Sequence, residues 1–223
     1  MRPVTKRRLA FLAGFALYFV LLWLLWWTPV VYPLKIFVVL LHELSHALAA
    51  VATGGTVERI LLTMDEGGAC FCPGGNAFVT LSAGYLGSLA WGLALLEAAR
   101  LRARPARLVV AGLGVAVGLA SLLFVRTAFG LVFGLLTGLV LLGAARVLRP
   151  GALARLLTVL GLTSALYAVL DIRSDVLQRP HLESDARMLA ELTGVPTLVW
   201  GLFWIALALG ASAVFFRRAY RSA

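Results

Sequence analysis

Seven stretches of about twenty mainly apolar residues dominate this chain, at 9–27, 34–52, 79–98, 108–125, 128–148, 153–170 and 197–216. A helix rising 1.5 Å per residue needs about 20 such residues to cross a hydrocarbon core about 30 Å thick. The expected fold is therefore an all-α polytopic membrane protein with six to seven transmembrane helices. Composition agrees: hydrophobic residues make up 61% and charged residues 13% of the 223, against roughly 45–50% and about 25% in soluble domains. A soluble enzyme could not hide that much apolar surface. The first run has the basic flank of a signal peptide, but it is long and no small-residue cleavage site follows, so it reads as a retained anchor.

The net charge of +10 would suggest nucleic acid in a soluble protein. Here the basic residues cluster between apolar runs: Arg2 and Lys6–Arg8, Arg100–Arg107, Arg146–Arg155, and Arg217–Arg221. Such clusters orient helices toward the cytoplasm and meet anionic lipid. The expected partner is the lipid bilayer, with no nucleic acid, and the expected location is a bacterial-type cytoplasmic membrane. Parity conflicts with this pattern, because three apolar runs separate the first two clusters where an even number is required. Either one of the first three runs is re-entrant or broken, or one cluster departs from the rule.

The whole chain, 1–223, reads as a single integral membrane domain with two polar insertions. The first, 53–77, is rich in glycine and suggests a small hairpin or sheet, with strand-like stretches at 57–63, 69–71 and 77–81. Asp65 and Glu66 precede two glycines and read as a solvated turn. Cys70 and Cys72 are too close for an ordinary structural disulfide and too few for a cysteine zinc site, so they read as packing residues. The second insertion, 172–196, is acidic; within it 183–192 suits a short helix ended by Gly194 and Pro196.

Inside the second apolar run stands Leu41-His42-Glu43-Leu44-Ser45-His46. Residues four apart on a helix lie one turn above one another, so His42 and His46 can aim both imidazoles at one metal ion, with Glu43 beside it as general base. Two of only three histidines in the chain fall in this window. Ionisable groups at membrane depth are costly and usually mark function. A catalytic zinc site commonly uses three protein ligands, so one donor must come from elsewhere. His181 lies in a polar loop and reads as solvated. Asp171 ends the sixth apolar run and is the favoured third ligand, with Asp175, four residues on, as the alternative. Asp185 precedes the short helix and reads as a structural cap.

At these residues the chain resembles the site-2 protease clan of intramembrane zinc metalloproteases, most closely its M-fifty peptidase, B-like branch. The likeness spans most of the chain: the His42–His46 motif, Ser82-Ala83-Gly84-Tyr85-Leu86-Gly87, Tyr167 with Asp171-Ile172-Arg173-Ser174-Asp175, and Ser184-Asp185-Ala186 before Trp200-Gly201. The resemblance implies one zinc ion held by His42, His46 and an aspartate from a later membrane helix, which maps onto Asp171, with Glu43 activating water. Better-known members carry Leu-Asp-Gly where this chain has Leu170-Asp171-Ile172, which keeps Asp175 open as the third ligand. The resemblance also implies that the segment around 57–81 offers a sheet edge to an unwound substrate.

The expected function is zinc-dependent intramembrane endopeptidase activity on a membrane-protein or peptide substrate. The alternatives are a noncatalytic membrane scaffold or chaperone that retains a degenerate protease fold, and a metal or small-solute transporter. The latter ranks lowest because no internal repeat is visible.

Overall fold

The computed structural model describes residues 3–173, 175–176 and 183–222; His181 lies outside them. The elements are α1 (Pro3–Leu25), α2 (Tyr32–Ala52), β1 (Arg59–Leu62), β2 (Gly68–Phe71), α3 (Ala77–Ala98), α4 (Ala103–Phe124), α5 (Ala128–Val147), α6 (Pro150–Arg173), α7 (Asp185–Thr193) and α8 (Thr197–Ser222). Seven of the helices are long and apolar enough to cross a membrane, and the strands form one two-stranded hairpin. The fold is thus the mostly helical, multi-span architecture expected from the apolar runs.

Pairs of helices pack through small residues, as membrane helices do where no hydrophobic drive brings them together. Gly92 of α3 meets Gly161 and Ala165 of α6 so closely that an added Cβ would lie 2.6 Å from the Ala165 nitrogen. Gly114 of α4 faces Gly138 of α5 in the same way, and Gly134 faces Ser121. Arg107 at the start of α4 donates to the carbonyls of Ala145, Arg146 and Leu148, satisfying the open C-terminal end of α5.

The helix α2 occupies the middle of this arrangement. Ile36, Val38, Leu40 and Leu41 are fully buried in a core shared with residues of β1, α3, α4 and α6. The hairpin runs beside it, β1 pairing antiparallel to β2 with Ile60 opposite Cys70. The outer edge of β1 is covered: Ile60 bridges to Val125, the Arg126 amide donates to the Ile60 carbonyl, and the Thr127 hydroxyl donates to the Leu62 carbonyl.

Four expectations in the insertions need correction. Residues 77–81, read as a weak strand, are the first turns of α3, because the Asn76 side chain accepts from the Val79 amide and caps a helix there. Glu66 is not merely solvated: its carboxylate meets the buried ammonium of Lys35 at 2.9 Å, and that ammonium also lies over the rings of Trp26 and Trp27. Cys70 and Cys72 are bonded to each other while also packing against the core. The cap of α7 is Ser184, whose hydroxyl accepts from the Arg187 amide, so Asp185 is released for another role. The helix itself ends where expected, with Gly194 in the left-handed conformation.

Candidate metal centre

The site is assembled on α2. His42, Glu43 and His46 are all buried, and one potential ligand atom from each lies within 4.8 Å of the others. The helical repeat explains the histidine pair: four residues apart, the two rings sit one above the other with centroids separated by 4.8 Å.

Each group is fixed by a neighbour. His46 Nδ1 faces the Thr80 carbonyl of α3 at 2.7 Å. Only an N–H can make that bond, so in the neutral ring Nε2 carries the free lone pair. Ser45, between the histidines, donates to the Leu41 carbonyl and accepts from the indole of Trp91, which locks α2 against α3. Tyr85, almost fully buried, packs edge-on against the His42 ring at 5.2 Å and donates its hydroxyl to Asp175. The Glu43 carboxylate lies against the backbone of β2 at Gly68.

Two glycines make room for these contacts. A Cβ on Gly84 would collide with the His42 ring and approach Asp185 Oδ2 to 2.6 Å. A Cβ on Gly68 would collide with the Glu43 carboxylate. Here glycine serves close approach rather than a turn.

The carboxylates named from sequence take different places. Asp171 Oδ2 lies 3.7 Å from His42 Nδ1. Asp175 faces Tyr85. Asp185 faces both histidines, with its Oδ2 at 3.0 Å from His42 Nε2 and 3.1 Å from His46 Nε2. Burial works to raise the Asp185 carboxyl pKa, but the two imidazoles outweigh it and hold the group below the usual carboxylate range. Sequence reasoning missed this approach because Ser184-Asp185 has the form of a helix cap. The repeated aspartates of an otherwise acid-poor chain were the available signal.

A metal ion suits this donor set. Two imidazoles and a carboxylate converge in a buried space, which is ligand chemistry typical of zinc. His42 Nδ1 is buried without a hydrogen-bond partner among the described residues, with the Asp171 carboxylate 3.7 Å away on that side, so the His42 ring presents Nε2 to the space shared with His46.

The profile of the Peptidase M50B-like family matches residues 15–215, and the chain belongs to that family. No curated protein and no solved structure matches it. A buried His-Glu-His group able to hold a metal, set in a multi-span helical fold of an M50B-like peptidase family, is what the chain and its structure establish together.

Proposed function

We propose that this protein is a zinc-dependent intramembrane endopeptidase that hydrolyses peptide bonds in or next to the membrane. The observation that carries the proposal is the buried His42–Glu43–His46 group, its histidine pair fixed so that His46 Nε2 presents a lone pair. A zinc ion held by these histidines and a nearby aspartate would supply Lewis acidity to the scissile carbonyl and acidify water at neutral pH. Asp171 and Asp185 both lie beside the histidine pair, and one of them completes the ligand set. Glu43 takes the proton from the attacking water and returns it to the leaving amine. Its carboxylate has room for this against the backbone of β2, where residue 68 is glycine.

The hairpin gives the reading its substrate geometry. A membrane helix keeps its peptide groups bonded internally, so cleavage requires local unwinding and a partner for the freed amides. With the outer edge of β1 covered by the loop between α4 and α5, the edge of β2 beside Glu43 is the place for an added strand. The substrate on this reading is a membrane protein or peptide presenting an extended segment.

The test is a comparison of protein N-termini in membranes from cells expressing the unmodified chain or Glu43→Gln. New N-termini near membrane-spanning segments that appear only with the unmodified chain support the proposal. Identical N-termini in both, with both proteins folded and metal-loaded, replace the protease with a noncatalytic scaffold.

A further inference from the structure

We propose that Asp185 is the third protein ligand of the metal and that Asp171 is a positioning residue behind the His42 ring. This rests on the metal-site reading above and names its missing donor. The Asp185 carboxylate oxygen stands 3.0 and 3.1 Å from the two Nε2 atoms. Because the Thr80 carbonyl takes the Nδ1 proton of His46, the neutral ring turns a lone pair toward that oxygen, which in a carboxylate has only lone pairs to offer. The three atoms converge on one point from two elements: the imidazoles are stacked on one face of α2 with centroids 4.8 Å apart, and the carboxylate reaches them from α7. One divalent ion satisfies all three atoms at once.

The spacing supports the same conclusion. Donors sharing a tetrahedral ion at bond lengths of about 2.0–2.1 Å stand roughly 3.3 Å apart, close to the two distances seen. Asp171 lies on the opposite side of the ring, 3.7 Å from Nδ1 of His42. That is the side from which a carboxylate orients a metal-binding histidine and raises its basicity. The protein also builds a support for Asp185: Ser184 takes over the cap, Ala186 and Leu189 are fully buried anchors of α7, and Gly84 leaves room for the carboxylate beside His42.

Elemental analysis and chelator competition on detergent-purified protein test this without using activity. The unmodified chain should carry one zinc, Asp185→Asn should lose it, and Asp171→Asn should keep full stoichiometry at saturating zinc with affinity lowered about 10–100-fold. Zinc retained by Asp185→Asn and lost by Asp171→Asn would overturn the assignment while leaving the metalloprotease reading intact. No zinc in the folded unmodified chain would instead remove that reading itself. Should Asp185→Asn not fold, Asp185→Cys loaded with cobalt(II) decides. A sulfur-to-cobalt charge-transfer band in Asp185→Cys, absent from Asp171→Cys, places position 185 on the ion, and the reverse pattern overturns the proposal.

A second inference rests on orientation alone and is independent of the metal. We infer that α2 does not cross the membrane and that the His42–His46 site lies at the non-cytoplasmic end of the bundle. Arg8 near the start of α1 lies over the Tyr220 ring at the end of α8, and Phe15 meets Phe216, so these two ends share one face. The start of α4 is tied to the end of α5 through Arg107, and α6 begins directly after. Trp200 meets Phe78, so α8 and α3 start together and end together, and the end of α3 leads directly into α4. The arginine clusters of the described residues therefore gather at one end, where Glu97 is the lone carboxylate among the described residues. By the positive-inside rule that end is cytoplasmic.

Both ends of α2 lie toward the opposite end. Tyr32 neighbours Phe129 at the start of α5, while the Thr53 hydroxyl accepts from the Asn76 amide just before α3. The chain enters and leaves α2 on the same side, which resolves the parity conflict of the sequence with six crossings. Substrates would then be reached at their non-cytoplasmic membrane boundary.

Labelling with a membrane-impermeant maleimide tests this in cells, in a background with Cys70→Ser and Cys72→Ser. Met64→Cys and Glu191→Cys, both well exposed, should label in intact cells. Arg104→Cys and a cysteine placed before Met1 should label only after permeabilisation. If the N-terminal cysteine labels together with Glu191→Cys, α2 crosses and the inference fails.

Discussion

Two of the seven apolar helices, α2 and α8, have similar lengths and opposite surroundings. Within its apolar window α2 is 78% buried inside the protein, whereas α8 is 17% buried. An apolar run satisfies lipid and a protein core equally well, so hydropathy marks both without distinguishing them. What separates α2 is its ionisable content: Lys35, His42, Glu43 and His46 would be expensive against lipid. Burial lets each find a partner, and the apolar residues of α2 form the shell that keeps those partners in place. The outward residues of α8, such as Leu202 and Leu209, are exposed on the outside of the bundle and have no such duty.

The contrast predicts a gradient of effects. The largest belongs to His46→Ala, which removes a metal donor; zinc content should fall from about one per chain to near zero. Next come the glycines that admit the site: Gly84→Ala and Gly68→Ala should lower cleavage by about 100-fold or more, because the added methyl displaces His42 or Glu43 and catalytic geometry tolerates little displacement. Glu66→Gln removes the charge that faces the buried Lys35 ammonium, leaving it a neutral amide oxygen and the two indole rings, and should cost about 2 kcal/mol in detergent unfolding. At the bottom, Leu202→Ala on α8 should change stability by less than about 0.5 kcal/mol. An α8 effect as large as that of Glu66→Gln would break the comparison.

Much of this organisation was legible in the sequence, for identifiable reasons. Span length is set by bilayer thickness, so the long helices follow from apolar runs. The histidine spacing is set by the helical repeat, so the core of the site follows from five residues. The conflict over orientation was also visible, since the arginine clusters demanded an even number of crossings.

What sequence could not supply was long-range partnership. Lys35 and Glu66 are 31 positions apart, and nothing local to Asp65-Glu66-Gly67 distinguishes a buried ion pair from a wet turn. Asp185 and His42 are separated by 143 positions, and the neighbouring Ser184 performs the capping role that local pattern gave to the aspartate. Gly84 sits in a run of small residues whose apparent purpose is helix packing; its service to His42 emerges only when α3 is laid against α2.

On the proposed function, α2 carries its buried His42, Glu43 and His46 in order to hold a metal. The most direct measurement is the zinc content of the detergent-purified, folded chain beside that of His46→Ala. About one zinc per unmodified chain and almost none in the variant are expected. A folded unmodified chain that takes up no metal, even after reconstitution with excess zinc, would contradict that function.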